Sequence, residues 1–461
     1  MPPPEAHHFV PPLAAVLPFA GLLLSIAILP ARVPRFWHRH YHRVALAWAG
    51  AYAIPALLWR PGAAVHDLLH VVLTEYLPFL VLLGALFIIS GGIVLRGRLR
   101  GTPAHNTGLL AFGTILASFI GTTGASMVLI RPLLRANAWR IRRGHVVVFF
   151  IFLVANIGGA LTPLGDPPLF LGFLQGVPFF WTLKLLPHFL LASGLLLAAF
   201  FALDTWALRH EPAARPGGPL SAPAAGREPA VGRERIGIDG AVNLGLLAAV
   251  LGAVLLSGVW HPGSVSIFGV EWKVESALRD VVLLLLAGLS LRLTPDRLRQ
   301  DNGFSWEPIR EVAWLFAGIF VTIIPAIALL RAGEGPVATL LRELSEPWQL
   351  YWATGLLSSV LDNAPTYLSF FNALLGRLAP GMSSAEGVAR LTTEGALWLE
   401  AISAGAVFMG AMTYIGNAPN LMVRAIAEDA GVSMPTFGGY LLRYALPILL
   451  PVLVLVQVAL F

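Results

Sequence analysis

Five runs of this chain, at 11–30, 44–59, 185–203, 241–258 and 438–461, are almost free of charge. They approach or reach the roughly 20 apolar residues that an α-helix needs to cross a bilayer. No other feature constrains the fold as strongly, because hydrocarbon offers no hydrogen bonds and a spanning segment must satisfy its own peptide groups. The chain is therefore read as an all-α polytopic membrane protein. Composition agrees: 12% of the 461 residues are charged, where a soluble domain carries about a quarter. The absence of cysteine excludes disulfides and thiolate metal ligation. The formal net charge of +6 does not point to nucleic acid, because the basic residues lie in short segments beside apolar runs. The first run is read as a span and not a cleaved signal, since no Lys or Arg precedes it.

The arginines set an expected topology. "ARVPRFWHRHYHR", with Arg32, Arg35, Arg39 and Arg43, reads as a cytoplasmic loop, which puts the N-terminus outside. The alternating His38, His40 and His42 in it are read as part of that basic loop. A third span near 75–95 returns to "RGRLRG". The apolar segment 105–134 is then flanked on both sides by arginines, so it should enter and leave on the same face, reversing at "GTTGAS". This is a re-entrant hairpin. The chain crosses again through 145–175, returns through 181–207, and continues into a Pro/Gly/Ala-rich stretch, 208–236, read as a cytoplasmic linker. A second half, 237–461, is expected to repeat the plan upside down. Its spans lie near 239–259, 277–293 and 312–331, its hairpin at 348–376, its broken span at 396–427 and its last helix at 437–460, ending outside. Each half, the first being 1–207, would hold five spans, one of them broken, and one hairpin. Arg279-Asp280 is placed at the membrane interface, as are Trp59, Trp181, Trp260 and Trp348.

The breaks carry the functional argument. "GALTPLGDPP" (159–168) cannot continue a helix, because proline lacks an N–H and clashes with the preceding turn. Its counterpart is "GAMTYIGNAP" (410–419). Gly159, Ala160, Thr162, Gly165 and Pro168 recur as Gly410, Ala411, Thr413, Gly416 and Pro419, and Asp166 becomes Asn417. The hairpin tips "SFIGTTGAS" and "SVLDNAPTY" align from Ser118 and Ser359, setting Gly121-Thr122 opposite Asp362-Asn363. Open backbone at membrane depth survives only where it lines a protein-enclosed or watery cavity, and paired broken helices are the pattern of inverted-topology repeats. Freed carbonyls with Asp, Asn, Thr and Ser oxygens suit a hard cation. An ionisable residue at mid-membrane costs roughly 2.5–3.5 kcal/mol and is functional by default. Asp166 and Asp362 lead the candidate list, as Na⁺ ligands. Thr122, Thr123, Ser126, Gly165 and Gly416 accompany them. Arg131 is a candidate carboxylate clamp or charge partner.

"TPLGD", "SSVLDNAP" and "GNAPNLM" resemble the ion transporter superfamily, and within it NhaD-type Na⁺/H⁺ antiporters and the related citrate-transporter group. The resemblance covers the chain outside the linker. It implies two inverted repeats whose hairpins and broken helices meet at a central site lined by Thr162, Asp166, Asp362, Asn363, Thr413 and Asn417. It further implies a homodimer in a bacterial inner membrane. NhaD-like sequences often carry Asp-Asn at the first tip as well, where this chain has Gly121-Thr122. The leading expectation is an antiporter in which Na⁺ (or Li⁺) and H⁺ compete for one carboxylate site, with no further cofactor. The alternative is a Na⁺- or H⁺-coupled symporter of citrate or another small carboxylate. An enzyme is not expected, since neither HExxH nor GxSxG occurs. The expected surroundings are the lipid bilayer and small solutes.

Overall fold

A computed structural model describes residues 11–97, 100–211, 237–332, 343–380 and 382–461. Beyond Glu211 the expected linker lies outside the described residues. The first half begins with α1 (Leu17–Arg32) and α2 (Pro34–Trp59). The expected basic loop at 31–43 is mostly the first turns of α2. Pro34 opens that helix, where a missing N–H costs nothing. Arg35, Arg39 and Arg43 recur every four residues on an exposed face, and Trp37, Tyr41 and Ala45 bury the opposite one. Next come α3 (Pro61–Val71), a π-turn at Val72–Tyr76, and α4 (Leu77–Ser90).

The first hairpin is α5 (Pro103–Ile120) and α6 (Thr122–Ala136), joined by the single residue Gly121. Its φ of 80° is open to glycine and strained for other residues, which is why the reversal falls there. The broken span is α7 (Gly144–Leu153), an irregular stretch, and α8 (Pro167–Leu174); α9 (Leu186–Arg209) closes the half. The second half holds α10 (Val242–Ser257), α11 (Val274–Leu293), α12 (Asp296–Asp301), α13 (Glu307–Thr322) and α14 (Ile324–Ala332). Its hairpin is α15 (Pro347–Val360) and α16 (Asn363–Leu378). After it come α17 (Ser384–Thr393), α18 (Ala396–Met409), a second break, α19 (Ala418–Asp429), α20 (Phe437–Tyr440), a π-helical stretch and α21 (Leu450–Leu460).

The chain is not purely helical. Val94–Arg96 pairs antiparallel with Gly237–Asp239, and Ser264–Ile267 with Val270–Lys273. The first ribbon ties the end of α4 to the start of the second half, and Arg96 braces it through Asp239 and Asp301.

Among the described residues, four helical stretches are long and apolar enough to cross a membrane, or six if each bent pair is one span. The sequence predicts ten. The difference has two causes. The first turns of α2 and α11 are charged, and α7 and α10 are too short singly. The residues Val146–Val154 of α7 and its exit are buried on every side, as are Ala401–Met409 of α18. A helix apolar all round is a buried helix, so α7 and α18, with the breaks that follow them, form the centre.

The hairpins pack across the halves. In each, the arm that follows the tip lies against the other half's post-break helix: α6 on α19, and α16 on α8. This exchange brings both tips and both breaks together.

Candidate functional site

Asp166 is the residue before α8, with extended backbone, and Pro167 and Pro168 occupy the first helical turn. By position it is an N-cap, yet its side chain makes no capping bond. It turns to the cluster of tips and breaks and is only 2% exposed. Oδ1 accepts from Thr122 Oγ1 at 3.1 Å and from Asn417 Nδ2 at 3.2 Å. Oδ2 accepts from Asn363 Nδ2. The donors thus come from the first tip, the second tip and the second break. All are neutral, and among the described residues no Lys, Arg or His forms an ion pair with this carboxylate.

Two further amides, Asn156 and Asn420, absent from the sequence-based candidates, hold the donors. Asn417 Nδ2 also reaches Ala155 O (3.1 Å) and Asn156 Oδ1 (3.3 Å). Asn156 donates to Asn420 Oδ1 at 2.7 Å, and Asn420 donates to the Gly410 and Thr413 carbonyls freed at the second break, both at 2.9 Å. Open backbone is thereby satisfied by amides instead of water. Asn420 stands within the "GNAPNLM" motif. Asn156 lies in an apolar stretch where only its polarity marks it out.

The threonines bind each break to its own hairpin in the same way. Thr162 Oγ1 donates to Ser118 O, and Thr413 Oγ1 to Ser359 O (2.6 Å). Each hydroxyl in turn accepts from the N–H two residues on, Leu164 (3.1 Å) and Ile415 (3.2 Å). The residues so related are those aligned from the sequence. Gly165 and Gly416 allow the crossing of the chain within each break. A Cβ on Gly165 would stand 2.2 Å from Gly159 O, and one on Gly416 2.6 Å from Gly410 O. Thr122 N donates to Gly165 O at 2.9 Å, which joins the first tip to the first break.

The other candidates lie differently. Asp362 does not bond to Asp166. It caps α16, accepting from Ala364 N at 3.1 Å, and its neighbour Asn363 faces the centre. Ser126 is buried one turn along α6, and its hydroxyl has no partner among the described residues. Thr123 lines a small cavity of about 20 Å³, walled also by Leu86, Gly121, Thr122, Asp166 and Phe170. A water-sized species needs about 10–15 Å³, so the cavity has room for one. Arg131 lies nine residues along α6 from Thr122, about 14 Å at the helical rise, and its guanidinium packs against Gly303. It is not among the groups around Asp166. Arg279 and Asp280, expected at the interface, are 3% and 7% exposed. They pair with each other, and the guanidinium lies over the Phe170 ring at 5.8 Å. Trp181 is likewise buried and donates to Thr392 O at 3.2 Å, whereas Trp59, Trp260 and Trp348 are exposed.

A charged cluster missed in the sequence fastens the open end of the first hairpin. Asp204 of α9 accepts from Arg140 (2.6 Å), His145 (2.8 Å) and Asn106 (3.0 Å), all buried. Asn106 and Asn137 exchange amide hydrogen bonds across the hairpin's base.

The apolar helices mark a helical membrane protein whose breaks surround a buried, hydrogen-bonded carboxylate. A family model described as "Putative citrate transport" matches residues 9–461, and the chain belongs to that family. No curated protein matches the chain.

Proposed function

We propose that the chain is a secondary active transporter in which a coupling ion, a proton or a hard cation such as Na⁺ or Li⁺, binds at Asp166 and drives movement of citrate or another small carboxylate. One observation carries the reading. Asp166 is a buried carboxylate held by three neutral donors from both halves, with no cationic partner among the described residues. Burying an unpaired charge costs several kcal/mol. A partner that arrives and leaves would make up that charge, which is what a coupling ion does. Asn363 Oδ1 beside it, without a partner among the described residues, would serve as a further cation ligand. The carboxylate solute is supported by the family description.

The shared hydrogen bonds of the two breaks and the exchanged packing of the hairpins support two inverted repeats. On that reading the hairpins and broken spans move as a unit against the remaining helices, in a homodimer in a bacterial inner membrane with both termini outside. Na⁺/H⁺ antiport without a carboxylate is the second reading. It is favoured by the cavity at Asp166, which suits one water-sized ion and is far too small for citrate. Proteoliposomes separate them. Radiolabelled citrate uptake that rises with an inward Na⁺ or H⁺ gradient supports symport. Collapse of a pH gradient on adding Na⁺ or Li⁺, without citrate and with no citrate uptake, supports antiport. Absence of both responses would overturn the proposal.

A further inference from the structure

The half-helix α8 starts at Asp166 and ends at Gln175, about 14 Å away at the helical rise. The far end is bonded as specifically as the near one. Gln175 Nε2 donates to Glu75 Oε1 at 3.1 Å, and Gln175 Oε1 accepts from Arg331 Nη2 at 3.3 Å. The two ends of one amide are thus matched to an acid and a base. Glu75 is buried, presented by the π-turn between α3 and α4, and its other oxygen has no partner among the described residues. π-Turns are rare and frequent at functional positions. Arg331, at the end of α14, also donates through Nε to Asn372 Oδ1 at 2.6 Å. Asn372 lies on α16, the helix whose first residue, Asn363, bonds Asp166. Both helices that begin at the central carboxylate are therefore held, about two to three turns further on, by α14, and α8 is held by the π-turn as well.

We propose that Gln175, Glu75 and Arg331 form a latch that positions α8, and through it Asp166, in the closed arrangement seen here. Opening the site toward this face requires the latch to part. The inference rests on the transport reading above, in which the broken spans move against α3, α4 and α14. Asp166 and the latch are then two ends of one rigid element, and a change at the first is transmitted to the second without a chain of intermediates.

The chain lacks cysteine, so one introduced thiol reports access to the cavity. Leu83→Cys places it on the α4 wall, at a residue that makes no polar contact. Membrane-impermeant maleimide is applied to each face of vesicles, with no transported solute present. Gln175→Glu keeps a ligand for Arg331 and sets a second carboxylate against Glu75. It should raise labelling from the face at which α8 ends by about tenfold and lower labelling from the other face, the shift expected when a charge-assisted hydrogen bond is lost. Glu75→Gln in the same chain exchanges amide and carboxylate, and should return both rates to the parent's. If Gln175→Glu does not fold, Glu75→Gln alone should give the same asymmetry at smaller size. Unchanged labelling, an equal rise from both faces, or no rescue in the double variant would each overturn the latch. Because labelling needs no solute, a protein that shows this asymmetry but transports nothing would sink the transport reading and leave the latch standing.

Discussion

Asp166→Asn tests the site with almost no change in shape. The carboxylate accepts three hydrogen bonds, and a bond to a charged group is worth about 1.5–3 kcal/mol against about 0.5–1.5 for a neutral one. Neutralisation therefore weakens each bond by roughly 1–1.5 kcal/mol. The new amide can still be satisfied. Its oxygen replaces Oδ1 beside Thr122 and Asn417, and its NH₂ faces Asn363, whose unpartnered oxygen turns in to accept. Removal of a buried charge returns several kcal/mol of desolvation. The two effects are of similar size, so the variant should fold and melt within a few degrees of the parent, or higher. Ion binding behaves differently. A monovalent cation at roughly 2.4 Å from the carboxylate gains about 7 kcal/mol at an effective dielectric constant of 20. With half of that cancelled by dehydration, about 3 kcal/mol is left, more than a hundredfold in affinity. Ion-coupled flux in proteoliposomes, measured beside the melting temperature in detergent, should show a folded protein with at least a hundredfold loss of coupling. Flux within a few-fold of the parent refutes an ion-binding role for Asp166, and loss of the folded protein shows the carboxylate to be structural.

Other substitutions probe the supports. Asn417→Ala removes one donor shared by three acceptors, Ala155 O, Asn156 Oδ1 and Asp166 Oδ1; it should destabilise by about 3–5 kcal/mol, read by thermal unfolding, and an unshifted midpoint would deny the bridge its weight. Gly165→Ala drives a Cβ into the Gly159 carbonyl, so little folded protein should be recovered by size-exclusion chromatography, while Gly245→Ala, at a glycine with open space around it, should behave as the parent. Arg140→Met strands buried Asp204 with only His145 and Asn106 as partners and should cost about 3–5 kcal/mol. Adding Asp204→Asn should recover part of that, and an additive double variant would count against a charge network.

The sequence was most informative where chemistry is local. Proline and glycine cannot be hidden in a membrane helix, so both breaks, both tips and the threonine correspondence could be read directly, with hairpin ends within a few residues of those observed. An acid in such a break stands out for the same reason. What sequence does not disclose is the direction of a side chain at a helix start. Asp362 and Asp166 look alike in one dimension, yet one caps its own helix and the other turns away from it. The reading of 31–43 as a loop failed because basic residues at every fourth position also make one face of a helix. Charges are assigned to the interface by default, and the sequence does not show that Arg279-Asp280 is also packed inside the protein, where the two side chains neutralise each other. The Asp204 cluster joins residues 59–98 positions apart, and no local pattern announces such a meeting.

The point at which the two halves differ follows from their being so closely joined. Matching breaks put Asp166 in one half and Asn417 in the other, and their side chains meet at 3.2 Å. Aspartates at both positions would oppose two like charges at that distance, roughly 5 kcal/mol of repulsion at an effective dielectric constant of 20. One amide turns the repulsion into a hydrogen bond and leaves a single carboxylate at the centre. The tips are divided in the same manner: Thr122 and Asn363 supply neutral donors at corresponding positions, and the remaining acid, Asp362, is spent on its own helix. The two breaks and two tips thus converge without stacking charge on charge, and Asp166 is reached by both hairpins at once. On the transport reading, a change in its ionic partner would be felt in both halves together, and α8 would carry the same change outward to Gln175.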